Sequence, residues 1–368
     1  MSKRGENIYK RGDRRWEGRY HKGRTLDGKI RYGSIYGETY HEVKQRLYPY
    51  KIKYQTIMEV QGICSIPLTE WVGVWLKEFQ TEWKPATYAN YCHKLNKYVL
   101  PHIGDQPLNQ LTQTGLEQLA VQLLEGPLSA STIEVVFCIL SNCLNQAVRK
   151  ELLKSNPCDK LKLPRKPQTK VRALTKKEQK NLEDKVKEVP LNKGLPILLA
   201  LQTGMRIGEI SALQWKDIDF DSNLIHVSHT YQRVTTPGPA GEKTQLIYGE
   251  VKTRSSNRVI PISNKIKKLL LKKQKQSNHP FVFSVNGHPC EPRLLTRYFH
   301  KLREAAEISE VHFHQLRHTF ATRCIETRAD IASVSALLGH ASAKMTLDIY
   351  TDAMLEQRIQ VIQLMNAV

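Results

Sequence analysis

Residues 314–350 read HQLRHTFATRCIETRADIASVSALLGHASAKMTLDIY. The stretch sets His314-Gln315-Leu316-Arg317-His318 ahead of a hydrophobic helix beginning near Thr319, then Leu337-Leu338-Gly339-His340, then Tyr350 ten residues later. Apolar residues recur at helical spacing through it. His314 and His318 at i, i+4 share a helix face, which invites a zinc site. The metalloprotease form of that pair needs Glu directly after the first histidine, Gln315 stands there instead, and no third ligand is evident. A metal is therefore not expected.

Upstream, helical patterns at 176–187 and 194–202 lead into Thr203-Gly204-Met205-Arg206-Ile207-Gly208-Glu209-Ile210. Arg206 follows a glycine turn and precedes an apolar-patterned helix. A guanidinium there offers a fixed donor fork beside helpful backbone dipoles, both suited to phosphate. A surface arginine paired with Glu209 is the plain alternative. Strand-like runs follow at 224–227, 244–250 and 258–262, with a Gly/Pro tip at 235–241. Lys252, in Val251-Lys252-Thr253-x-x-Ser256-x-Arg258, falls at a predicted hairpin, where a lone lysine is ordinarily solvated. Helices around a small antiparallel sheet predict a mixed α+β domain over 173–368.

Residues 65–163 turn helical. Leu68, Trp71, Val72, Trp75, Leu76 and Phe79 follow the spacing of one buried face, and Ile133, Val136, Phe137, Leu140 and Leu144 line another. A basic linker at 164–172 carries Lys166, Lys170 and Arg172 among prolines; it either tracks a phosphate backbone or is simply solvated. Residues 1–62 alternate bulky and polar side chains between glycines, which predicts a three-stranded antiparallel sheet followed by a helix over about 40–54. Arg14, Arg15, Arg19, Lys22, Arg24, Lys29 and Arg31 on that sheet suit a DNA groove, or else belong to a loosely folded basic arm. The fold class is thus multidomain and mainly α: a small N-terminal β-sheet domain, a helical domain, and an α+β C-terminal domain.

Composition narrows the partner. With 56 Lys+Arg against 35 Asp+Glu, the 368 residues carry a net charge of +21. Such an excess favours a polyanion, because each neutralised phosphate releases condensed counterions. An anionic membrane surface or solubility alone are the other outlets. The charged start carries no secretory signal, and no run approaches the ~18 apolar residues of a membrane span. The seven cysteines are scattered without Cys-x-x-Cys, which argues against a disulfide framework and fits a reducing cytoplasm. Neither a Gly-x-Ser-x-Gly elbow nor a phosphate-binding Walker loop is present, so no nucleotide cofactor is expected.

Taken in order, Arg206, Lys252, His314-x-x-Arg317, Gly339-His340 and Tyr350 resemble the tyrosine recombinase (phage integrase) family. The resemblance spans about residues 173–350, roughly half the chain. Residues 65–163 are similar, less specifically, to the family's core-DNA-binding domain. Residues 1–62 resemble the arm-site-binding domain of conjugative-transposon and lambda-type integrases.

The resemblance implies attack by Tyr350 on a DNA phosphodiester, leaving a 3′-phosphotyrosyl bond and a free 5′-hydroxyl. Resealing then needs no ATP. Arg206 and Arg317 would hold the phosphate without a divalent ion. His314 would bond the phosphate or help take the phenol proton, and His340 stands where the family carries His or Trp. Lys252 would protonate the leaving 5′-oxygen. Glu209 fits the family's acidic position and would orient its neighbours; His318 would be structural. Tyr298 rivals Tyr350 by residue type alone but precedes His-x-x-Arg.

Implied partners are double-stranded DNA at core and arm sites, and further copies in a DNA-bound tetramer exchanging tails that carry Leu355, Ile359 and Ile362. Any excisionase or DNA-bending partner is not legible in the sequence; the expected setting is a bacterial cytoplasm, without a membrane. The implied task is integrating and excising a mobile element such as a conjugative transposon or prophage. A non-catalytic DNA-binding regulator on the same fold and a resolvase-type recombinase are the alternatives.

Overall fold

The computed structural model describes residues 6–164, 172–236, 243–251, 253–342, 344 and 346–347. These fall into two units, one built from residues 6–164 and the other from residues 172–234 and 244 onward.

In the first unit, Ile8–Lys10 (β1), Trp16–Arg24 (β2) and Ile30–Gly37 (β3) form an antiparallel sheet in the order β1-β2-β3. Pairing of Ile8 with Gly18, Gly18 with Ile35 and Tyr20 with Gly33 puts these residues on one face. Tyr40–Val60 (α1) lays Val43 and Leu47 against that face. Gly18 permits the close approach, since a Cβ there would lie 2.7 Å from Val43 Cγ1. The sequence pattern ends this helix near Tyr54; the structure carries it on to Val60. It stops ahead of Gly62 (φ 122°), where a Cβ would meet the Leu152 carbonyl at 2.7 Å. That stop is set by packing against a distant loop, which periodicity does not report.

The helical part comprises Leu68–Phe79 (α2), Pro85–Tyr98 (α3), Leu100–Ile103 (α4), Gln113–Glu125 (α5) and Ala130–Arg149 (α6). Helix α6 is long and apolar enough to cross a membrane by length and composition alone. Its Ile133, Val136, Phe137, Leu140 and Leu144 instead share one core with Leu68, Trp71, Val72 and Trp75. Trp71 Nε1 donates to the Cys143 carbonyl at 3.1 Å, so the buried indole is satisfied. Sheet and helices are tied together within the unit: Arg31 Nη1 donates to the Ser65 carbonyl at 2.6 Å, and Asn109 Nδ2 to the Lys22 carbonyl at 3.4 Å.

The second unit opens with Lys176–Lys187 (α7), started by a capping box in which Thr175 and Glu178 bond each other's backbone N–H. Leu191–Thr203 (α8) is buried from Gly194 onward apart from Gln202 and is the hub of the unit. Ile207–Ala212 (α9) follows, then Ile218–Asp219 (β4), Leu224–Val227 (β5), His229–Thr236 (β6), Lys243–Glu250 (β7) and Arg258–Pro261 (β8). Strands β4-β5-β8 form one antiparallel sheet, while β6 and β7 pair only with each other. The 244–250 run is partnered by β6, a strand the sequence pattern does not announce. Asn264–Gln274 (α10), the short Ser284–Val285 (β9) and His288–Pro289 (β10), Pro292–Ala305 (α11), His314–Glu326 (α12) and Ile331–Leu338 (α13) complete it. Helices α7, α10, α11 and α12 all pack on α8.

Candidate active site

Helix α8 ends at Gly204 (φ 64°). A Cβ there would lie 2.6 Å from Phe320 Cδ1 on α12 and 2.9 Å from Leu338 Cδ2 on α13, so glycine alone lets these three helices close together. Two residues on, Arg206 enters α9. Its backbone N–H donates to Glu209 Oε2 at 2.8 Å and its Nη1 to Glu209 Oε1 at 2.8 Å. Arg206 remains 36% exposed, whereas Glu209 is 3% exposed.

The other side of that carboxylate belongs to Arg258 of β8. Arg258 Nη2 donates to Glu209 Oε2 at 2.8 Å, Nη1 to Glu209 Oε1 at 3.1 Å, and Nε to the Leu337 carbonyl at 2.6 Å. Arg317 of α12 donates through Nη1 to the Gly204 carbonyl at 2.8 Å and through Nη2 to the Leu338 carbonyl. Arg206 Nη2 reaches the Gly339 carbonyl at 3.5 Å. Three consecutive carbonyls at the end of α13 are thus each met by a guanidinium. A helix C-terminus carries partial negative charge, which favours this clustering of cations. Gly339 (φ 66°) then turns the chain into His340, with no room for a side chain: a Cβ would sit 2.8 Å from the Ser255 carbonyl.

Electrostatics follow from the packing. Burial alone would raise the Glu209 pKa, but hydrogen bonds and charge from Arg258, then Arg206, hold it below the usual carboxylate value. Glu209 is therefore an anion that organises cations. Desolvation, then the charges of Arg317 and Arg206, lower the His314 pKa, although part of that residue reaches solvent. His318, buried with its ring edge-on to His314 at 4.9 Å, is pushed down to about 4 by burial, then by His314 and Arg317. Burial, then Arg317 and Arg206, push His340 down to about 4 as well. Its Nδ1 lies 2.9 Å from Thr346 Oγ1. Near neutral pH the site holds permanent guanidinium charge and neutral imidazoles.

Arg206, Glu209, Arg317 and His340 are thus brought together, and His314 joins them through the field of both arginines. Lys252 and Tyr350 lie outside the described residues, as do Lys166 and Lys170. The turn just after position 252 does reach the site, through the Ser255 carbonyl beside Gly339. Among the described residues no group of three or more His, Cys, Asp or Glu side chains is placed to hold a metal.

Arg258 closes the Val251–Arg258 motif without an assigned role, and Thr346 belongs to none of the motifs. Arg258 carries a readable signal: it shares the inward phase of β8 with Ile260, and a charge on an inward strand face demands a buried counter-ion. Thr346 offers no such signal.

The N-terminal candidates divide by what they bind. Arg19 Nε donates to Glu17 Oε1 at 2.9 Å on the sheet face opposite α1, and its guanidinium lies over the Tyr9 ring at 5.0 Å. Glu17, only 2% exposed, also accepts from Ser34 at 2.7 Å and from Arg11 at 2.9 Å. Arg11 and Arg15 both lie near the Tyr36 ring, at 5.5 and 5.7 Å. Arg14 is exposed in the turn with φ 68°. Lys22 lies 5.8 Å from the Tyr20 ring, Lys29 pairs with Asp27 at 2.8 Å, and Arg24 donates to the Gly28 carbonyl at 2.9 Å. Arg31 is engaged with the Ser65 carbonyl, and Arg172 with Glu178 and the Ser309 carbonyl. The sequence pattern omits Arg11, Tyr9 and Tyr36.

Arg206, tethered by a buried acid, and Arg317, tethered by backbone carbonyls, stand with neutral imidazoles at a helix end and define an oxyanion-binding site, the class that includes phosphoryl-transfer enzymes. The chain belongs to the phage integrase family, whose model matches residues 172–356, with the family's N-terminal SAM-like domain matching residues 68–123. It is 25% identical to a tyrosine recombinase XerC-like protein of Caldanaerobacter subterraneus subsp. tengcongensis, over 94% of each chain. It is 26% identical to the ICEBs1 integrase of Bacillus subtilis, over 78% of this chain and 79% of that one. Among solved structures, the Tn1549 transposon integrase in complex with transposon right end DNA superposes with a TM-score of 0.67 at 21% identity, covering 81% of this chain and 99% of that one.

Proposed function

We propose that this chain integrates and excises a mobile element through a covalent intermediate on Tyr350. The phenol oxygen attacks a backbone phosphorus, the P–O5′ bond breaks, and a 3′-phosphotyrosyl bond remains. Arg206 and Arg317 neutralise charge on the non-bridging oxygens, and His340 donates to one of them. Lys252 gives its proton to the departing 5′-oxygen, and His314 bonds the phosphate or helps take the phenol proton. Rejoining reverses these transfers with another 5′-hydroxyl, so the energy of the cut stays in the new ester.

One observation carries this reading: Arg206, Arg317 and the turn into His340 converge on the same end of α13, ten residues before Tyr350. The substrate is double-stranded DNA, with core sites facing the helical and C-terminal segments. Arm sites face the open side of the N-terminal sheet, where Arg11, Arg15 and Arg19 lie against tyrosine rings. The net charge of +21 supplies the non-specific part of binding. Acting on bacterial DNA, the protein works in the cytoplasm, with an excisionase and a DNA-bending protein as partners. Assembly is a DNA-bound tetramer that exchanges the residues after Asp352, a segment outside those described.

The deciding experiment traps the enzyme on a nicked suicide substrate and maps the adduct by mass spectrometry. The phosphotyrosyl peptide should contain Tyr350; an adduct on Tyr298 or elsewhere overturns the assignment.

A further inference from the structure

Thr346 is fully buried, and the only polar side-chain contact described for its hydroxyl is the ring of His340 at 2.9 Å. A neutral imidazole carries one proton on one of two nitrogens, and the bond made by one nitrogen decides what the other presents. His340 is neutral near pH 7, because burial, then Arg317 and Arg206, push its pKa down to about 4. Its Nδ1 is engaged by Thr346, so Nε2 is the nitrogen left for a ligand. An anion held by Arg206 and Arg317 can use a ring N–H; it is repelled by a ring lone pair. A hydroxyl can donate or accept, and only when it donates to Nδ1 does Nε2 carry the proton.

We infer that Thr346 is a positioning residue whose hydroxyl donates to His340 Nδ1 and so fixes the tautomer that presents Nε2–H to a non-bridging oxygen of the scissile phosphate. This rests on the proposed function, in which a DNA phosphate occupies the site. The same bond ties His340 to the segment leading to Tyr350, since Thr346 stands four residues before it. A buried polar partner that holds a ring in one tautomer does for this site what outer-shell groups do for metal-bound histidines.

The test compares Thr346→Val, which keeps shape and loses the hydroxyl, with Thr346→Ser, which keeps the hydroxyl. Single-turnover cleavage of the suicide substrate is measured at saturating DNA, with DNA affinity in parallel. The His340 ring tautomer is read from 15N shifts in the full chain, assigned by difference with His340→Asn. Thr346→Val should slow cleavage by about 10- to 100-fold, the scale for losing an outer partner that orients a histidine, at nearly unchanged affinity. Thr346→Ser should recover most of that loss, and the wild-type ring should carry its proton on Nε2. A Val variant as fast as wild type overturns the inference. So does a Ser variant as slow as Val, or a wild-type proton on Nδ1. If the wild-type protein forms no adduct at Tyr350, the proposed function fails instead, and the tautomer still reports on Thr346.

Discussion

Replacing Arg258 with methionine keeps an unbranched stem and removes the bonds to the Leu337 and Ser256 carbonyls and to both Glu209 oxygens. The Arg258 and Glu209 side chains are 5% and 3% exposed, so water screens little of their attraction. Removing one member of a buried ion pair costs about 3–5 kcal/mol, because the other charge is left uncompensated. Arg206 still binds Glu209 at 2.8 Å from its half-exposed position, which points to the lower end, about 3 kcal/mol. For a unit of this size each kcal/mol moves Tm by roughly 2–4 °C, so calorimetry on the full chain should show a transition lowered by roughly 6–12 °C. Adding Glu209→Gln to this variant removes the stranded carboxylate and should restore part of the loss, a coupling of at least about 1 kcal/mol. The double variant should nonetheless cleave more slowly than Arg258→Met alone, since Arg206 then loses its tether. A single variant within about 2 °C of wild type, or strictly additive effects in the pair, refutes the reasoning.

Burial opposes ionisation of Glu17, but bonds from Ser34, Arg19 and Arg11 bring its pKa down to about 2. A depressed acid stabilises the fold above its ordinary value of 4.5 and loses that contribution as pH falls toward about 2. Thus Glu17→Gln should flatten the acid limb of unfolding followed by tyrosine fluorescence; an unchanged limb would place the titration elsewhere. The same variant removes a negative charge, yet should bind arm-type DNA more weakly because Arg11 and Arg19 lose their common anchor; tighter binding measured by anisotropy would contradict the proposed face. Gly339→Ala should lower stability by about 1–2 kcal/mol for the left-handed backbone alone, with more from the Ser255 carbonyl, and should slow cleavage in the same assay. Cleavage should persist in EDTA, since guanidiniums take the part a divalent ion plays elsewhere; strict metal dependence would rule the chemistry out.

What could be read from the sequence was chemistry with few substitutes. Arg206, Arg317 and His340 stand out because a planar, permanently charged fork and an imidazole have no close equivalents at a phosphate. Their order along the chain survives any detail of packing. The alternating residues of β2 and β3 and the i, i+3, i+4 stripe of α2 were legible for a similar reason: one buried face imposes one period. Arg258 was legible as a charge on an inward strand face but its partner Glu209 was not, and Thr346 was hidden because its role arises only where it meets His340. Basic composition announced positive charge but not its employment. Arg31 and Arg172 are tied to backbone carbonyls of their own units, while Arg11 shares with Arg19 the buried Glu17.

The resting protein puts its motif arginines to use before any substrate arrives. Arg317 and Arg258 hold short bonds to the Leu338 and Leu337 carbonyls, while Arg206 holds the Gly339 carbonyl only at 3.5 Å, the outer limit of hydrogen bonding. A phosphate oxygen can therefore displace the Gly339 contact at little cost, while Glu209 keeps the guanidinium in register from its other side. Under the proposed chemistry Arg206 thus needs little reorganisation when charge develops, which is the condition under which a fixed donor lowers a barrier most. It is then ready in advance, and what is left to govern is delivery of the Tyr350 phenol. A regulator acting on this enzyme gains more by governing the segment that carries Tyr350 than by assembling the pocket. The contact between Thr346 and His340 is where such control would first be felt.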